Sequence, residues 1–102
     1  MNKAILILTI LITFPASALE SFVGKVTLVE PTYLPNSISF YMDTGTSTCP
    51  GGSWLRWTKT EENNKIVYST LMTALITGNK VRLHFNDGDT TCQVQYLHLL
   101  AN

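Results

Sequence analysis

IVYSTLMTALITGNKVRLHF, running from Ile66 to Phe85, holds two hydrophobic periods on either side of a glycine. Val67, Leu71, Ala74 and Leu75 fall at i, i+4, i+7 and i+8, which is one face of an α-helix. Tyr68 and Met72 widen that stripe. Thr60 or Asn63 can offer a side-chain oxygen to the unpaired N–H groups at the helix start. Glu61 and Glu62 lie where the helix dipole is positive. Gly78 follows the last apolar positions and can take the positive φ that ends many helices. Beyond it Val81, Leu83 and Phe85 alternate with Lys80, Arg82 and His84, the period of a half-buried strand. The stretch therefore predicts helix, stop and strand.

Outward from this unit, the first eighteen residues read as a signal peptide rather than as part of the fold. Lys3 gives a positive start, Ala4 to Phe14 is almost wholly apolar, and Ala16-Ser17-Ala18 is a small-x-small cleavage site. The apolar run is short for a membrane span. Cutting after Ala18 leaves 84 of the 102 residues, enough for one small domain over 19–102. It also removes one of seven basic residues and leaves seven acidic ones, a net charge of −1. That balance argues against a nucleic-acid partner, since binding a phosphate backbone needs a basic patch. A secreted or periplasmic location follows.

Cys49 and Cys92 are the only cysteines, so an exported chain has one internal pairing to make. A domain of about 84 residues buries little of its surface and gains much from a staple. No histidines stand close enough in sequence to complete a metal set with the two thiols.

The remaining segments read as short strands. Ser21 to Glu30 is the first, with Gly24, Val26 and Leu28 on one face and Val23 and Val29 on the other. Pro31 and Pro35 bound a loop carrying Tyr33. Asn36 to Thr44 is the second strand, with Ile38, Phe40 and Met42 inward. Gly45 to Ser53 is a loop, and Trp54 to Thr58 a third, short strand. Asn86-Asp87-Gly88-Asp89 signals a tight turn. Cys92 opens a fifth strand that begins with Cys92, Val94 and Tyr96 on one face. Its apolar face then shifts to Leu97 and Leu99, which implies a bulge or a second buried face. The expected class is mainly β (α+β): a five-stranded OB-like barrel with one helix between strands three and four, the alternative being a helix lying flat on a meander sheet.

In that order the chain resembles small exported bacterial OB-fold proteins, the B subunits of AB5 toxins, and among them the subtilase cytotoxin B subunit-like group. The matching features are the leader, Cys49 before the third strand, Tyr68-Ser69-Thr70-Leu71 with Ala74, Gly78-Asn79-Lys80-Val81-Arg82-Leu83, and Cys92 at the start of the fifth strand. The resemblance spans most of Phe22 to Leu100. It implies a non-enzymatic, glycan-binding pentamer. None of that family's sugar-binding residues is carried onto this chain.

For ligand contact the sequence offers Trp54, Arg56 and Tyr41. Alternation puts Leu55 and Trp57 in the core and turns Trp54 outward. An exposed tryptophan beside Arg56 or Tyr41 can stack on a sugar ring or a protein partner. The competing reading packs Trp54 under a loop or a neighbouring subunit. His84 and His98 read as solvated, with no third ligand at useful spacing, so no metal is expected. Asp87-Gly88-Asp89 lacks the length and the terminal glutamate of a calcium loop and reads as turn chemistry. No G-x-S-x-G, P-loop or H-E-x-x-H occurs, so neither an enzyme nor a cofactor is expected. Two readings stand: an exported binding module for a glycan or protein, and a monomeric periplasmic accessory or inhibitor protein.

Overall fold

The computed structural model describes residues 19–102. The expected signal peptide lies outside the described residues. In chain order the elements are β1 (Leu19–Gly24), β2 (Val26–Glu30), β3 (Ile38–Met42), β4 (Leu55–Trp57), α1 (Glu61–Thr77), β5 (Val81–Asn86) and β6 (Val94–Leu99). The described chain is mainly β with one helix. It forms two three-stranded antiparallel sheets, ordered β1-β5-β6 and β2-β3-β4.

This corrects the expected closed count of five strands. The segment read as one first strand is split at Lys25, and its halves join different sheets. Side chains just past β3 hold the split. The Lys25 N–H donates to Asp43 Oδ1 at 2.7 Å, and Thr44 Oγ1 donates to the Val23 carbonyl at 3.0 Å. A Cβ on Gly24 would lie 2.2 Å from Thr44 Oγ1, so only glycine lets the two segments come this close. On the opposite side the sheets meet at one parallel bridge, Arg56 with Gln93, where the Arg56 N–H donates to the Cys92 carbonyl at 3.0 Å. With only three residues, β4 is too short to extend that contact, and the barrel is not closed.

The core lies between the sheets and under the helix. Ile38, Phe40 and Met42 alternate inward on β3, Leu55 and Trp57 on β4, and Val81, Leu83 and Phe85 on β5. Phe22 stacks on Phe85 with ring centres 5.7 Å apart. Each fully buried Leu, Ile or Phe among these stabilises the fold by about 1.5–3 kcal/mol relative to exposure.

The helix begins at Thr60, whose hydroxyl accepts from the Asn63 N–H, and ends at Gly78, with φ 73° and its N–H on the Ala74 carbonyl. Val67, Leu71 and Ala74 are buried as the stripe requires, but Leu75 is 36% exposed. The fourth buried position is Asn64, fully enclosed. Its Nδ2 donates to the Pro35 and Asn36 carbonyls at 2.8 and 3.0 Å, and its Oδ1 accepts from the Lys59 N–H at 2.9 Å. A buried amide is tolerated because every polar atom finds a partner.

Two bulges re-aim side chains. One between Val26 and Leu28 leaves Leu28 exposed and turns Val29 toward the core, the reverse of simple alternation. The other sets Val94 opposite Phe85 and Tyr96 opposite His84, so Gln95 is the extra residue. The expected bulge is present, but it falls before Tyr96 and turns that ring outward, where it is 56% exposed.

Candidate ligand-binding face

The outer surface of the β2-β3-β4 sheet is assembled by register. Glu30 pairs with Ser39, and Ser39 with Arg56, which sets three polar side chains in a row across the strands. One step along, Tyr41 pairs with Leu28. Leu55 and Trp57 occupy the inner face, so Trp54 and Arg56 are turned out, as strand alternation demands. Trp54 lies against Tyr41 with ring centres 4.3 Å apart and planes tilted by 52°. It remains 41% exposed, so packing on Tyr41 uses only part of its surface.

The loop after β2 adds Tyr33, which is 62% exposed. Turn hydrogen bonds hold this loop: the Leu34 N–H donates to the Pro31 carbonyl, and the Asn36 N–H to the Tyr33 carbonyl at 2.8 Å. Buried Asn64 ties the same loop to the helix through Pro35 and Asn36. Thr32 hydrogen-bonds the Glu30 carboxylate and orients it at the strand end. An open cleft of about 210 Å³ results, lined by Glu30, Tyr33, Ser39, Trp54 and Arg56. A second hollow of about 450 Å³ shares Tyr33, Ser39 and Arg56 with it and continues toward Asn36, Thr58 and Gln93. Tyr33, Ser39 and Arg56 thus border both hollows of this groove, with Trp54 on the first and Asn36, Thr58 and Gln93 on the second.

The three residues singled out from sequence, Tyr41, Trp54 and Arg56, thus share one face. Sequence reasoning missed Tyr33, Glu30 and Ser39 as partners. The one local signal for Tyr33 is an aromatic residue in a short loop between two prolines. Nothing local places that loop over the sheet.

The disulfide between Cys49 and Cys92 is formed, with Cα atoms 5.8 Å apart. It fixes the loop after β3 to the segment before β6, next to the Arg56 bridge. Asp89 supports the same junction. Its carboxylate accepts from the Thr91 hydroxyl and N–H at 2.5 and 2.8 Å, and from the Gln93 N–H at 3.1 Å. The Thr91 hydroxyl bond is the largest cause holding the Asp89 carboxyl below its ordinary pKa; burial opposes it, and the Thr91 and Gln93 N–H bonds add to it. This is turn chemistry, as the sequence implies. Asp43 likewise serves the backbone of Lys25.

His84 and His98 lie on the outer face of the other sheet, rings 5.4 Å apart, with Tyr96 edge-on to His84 at 6.2 Å. Among the described residues no group of three or more His, Cys, Asp or Glu gathers to hold a metal ion. No helix among them is long and apolar enough to cross a membrane.

No protein-family model, curated protein or solved structure matches the chain. The class defined by fold and site is therefore a mainly β, disulfide-bonded protein with an aromatic and polar groove on one sheet. The disulfide fits a compartment outside the reducing cytoplasm.

Proposed function

We propose that this protein is an exported, non-enzymatic binding module that takes a glycan or protein ligand on the outer face of the β2-β3-β4 sheet. The observation that carries the reading is the Trp54–Tyr41 pair beside Arg56 and Tyr33 in an open groove. A flat ring offers a sugar's C–H face or a peptide's apolar side chain a large contact at little entropy cost. The row of Glu30, Ser39 and Arg56 supplies donors and acceptors for hydroxyls or backbone amides.

The path of the chain supports an OB-like, partly open barrel. With β1 and β2 taken as one bent strand, the first strand pairs with the second and the fourth, and the third with the second. The fourth pairs with the fifth, and the Arg56–Gln93 bridge joins third to fifth. The helix falls between the third and fourth, as in that fold. The resemblance to AB5 toxin B subunits favours a glycan over a protein and supports an oligomer. A disulfide and a cleavable leader both favour export.

The test is a glycan array probed with the oxidised protein and with Trp54→Ala, alongside a pull-down from envelope extract. Removing an aromatic anchor from the centre of a site costs about 2 kcal/mol or more, roughly thirtyfold in affinity. The reading expects a defined set of glycans or one protein to bind wild type and to be lost with Trp54→Ala. Capture of one protein with no glycan would favour the accessory or inhibitor role. Ligand capture that Trp54→Ala leaves unchanged overturns the site.

A further inference from the structure

We propose that His84 and His98 together bind a zinc ion on the outer face of the β1-β5-β6 sheet. The inference is independent of the groove, which lies on the other sheet.

The chain has two histidines, and the fold brings both together from different strands. His84 on β5 pairs with Tyr96, and His98 on β6 pairs with Arg82, so the imidazoles are diagonal neighbours on one face. Diagonal residues of an antiparallel pair are within reach of aromatic side chains. The bulge is what makes them neighbours. Continued from Phe85 opposite Val94 without the extra residue Gln95, the register would set His98 opposite Val81, on the buried face. In the fold His98 is exposed and His84 half-buried, so a hydrated cation can reach both rings.

The spacing of the rings selects the metal. A zinc–nitrogen bond is about 2.0–2.1 Å, and an imidazole nitrogen lies about 1.2 Å from its ring centre. Two such rings at a tetrahedral angle have centres roughly 5.2–5.4 Å apart. At the right angle of a tetragonal copper site the centres would stand roughly 4.5–4.7 Å apart. The observed separation is 5.4 Å, the tetrahedral value. The planes are inclined at 68°. Rotation about each Cβ–Cγ bond, a broad torsion in histidine, aims a nitrogen at the shared point while leaving the ring centre almost in place. Zinc would therefore need little movement of either strand.

Two imidazoles leave two tetrahedral positions to water, so the site is weaker than a three- or four-ligand centre. Among the described residues no carboxylate completes it. The charged residue paired with a ligand is Arg82, opposite His98 and exposed, and a guanidinium there opposes a cation.

Zinc chloride titrated into the oxidised protein at about pH 7.5, where an ordinary imidazole is mostly neutral, tests the site by calorimetry and by NMR of the two imidazoles. The expected result is one zinc per chain, with both imidazole signals moving together. Loss of an outer-shell partner alone costs a metal site about 10–100-fold, so His84→Ala and His98→Ala, each removing half the protein ligands, weaken binding by about tenfold or more. Arg82→Gln, which removes the opposing charge and no ligand, tightens it. Urea unfolding without zinc checks that each variant folds, and the wild-type NMR titration needs no variant. No response of the imidazoles up to millimolar zinc overturns the inference. So does zinc binding that survives both alanine substitutions.

Discussion

Breaking the Cys49–Cys92 bridge should remove a large share of this fold's stability, and its size follows from the chain. The bridge closes a loop with a sequence separation of 43. The chain-entropy argument gives a loop of that length about 13 cal/mol/K, or about 4 kcal/mol at room temperature. At about 0.05–0.15 kcal/mol per residue, 84 residues give roughly 4–13 kcal/mol in total. The loss is therefore between about a third and all of it. Both sulfurs are buried, so alanine at both sites adds lost packing to lost cross-linking. The assay is equilibrium urea unfolding of the oxidised protein beside Cys49→Ala/Cys92→Ala. With m near 1–2 kcal/mol/M, the midpoint falls by about 2–4 M, or the variant is unfolded in buffer. The m-value rises as well, because an unlinked denatured chain exposes more surface. A midpoint shift below about 0.5 M would refute the reasoning and leave the bridge as a local clamp.

Asn64→Ala strips partners from two part-buried carbonyls and one part-buried N–H, at up to about 1–3 kcal/mol for each that water cannot reach. Urea unfolding reads that loss, and ligand affinity falls too because the Tyr33 loop is released, although Asn64 touches no ligand. Gly24→Ala forces a methyl against Thr44 Oγ1 and costs about 1–3 kcal/mol, part of which Thr44→Ala in the same chain should restore. Asp89 has a folded pKa below its unfolded value, so its contribution is present above the unfolded pKa and lost as pH falls through the folded one. Acid titration followed by NMR should show the Asp89 carboxyl titrating below the ordinary aspartate value. Asp89→Asn should flatten the acid limb of the stability curve only slightly, because the group is largely open to water.

Much of this was legible before any coordinates. The helix and β5 follow from two clean periods, 3.6 and 2, separated by a glycine with positive φ. The disulfide follows from there being two cysteines in a sequence whose first eighteen residues read as an export leader. Trp54 faces out because Leu55 and Trp57 must face in. What failed was what depends on distant parts of the chain. The split at Lys25 arises from Asp43 and Thr44, eighteen and twenty-one residues from the groups they bind. The bulge after Val26 exposes Leu28 by shifting register against β3, which no single strand announces. Asn64 has no place in the apolar stripe, and the burial of a polar residue is unreadable until its partners are known. Its partners lie in a loop twenty-eight and twenty-nine residues away. For the site, Tyr41, Trp54 and Arg56 were readable from alternation, whereas Tyr33 and Glu30 join them only through the folded loop.

The central claim is that ligand contact falls on the β2-β3-β4 face. Amide and indole chemical shifts, recorded while a captured glycan or peptide is titrated into the oxidised protein, test it most directly. The account predicts that the Trp54 indole and the amides of Ser39, Tyr41 and Arg56 move together and saturate. Shifts confined to the opposite face, at His84, Tyr96 and His98, would contradict it.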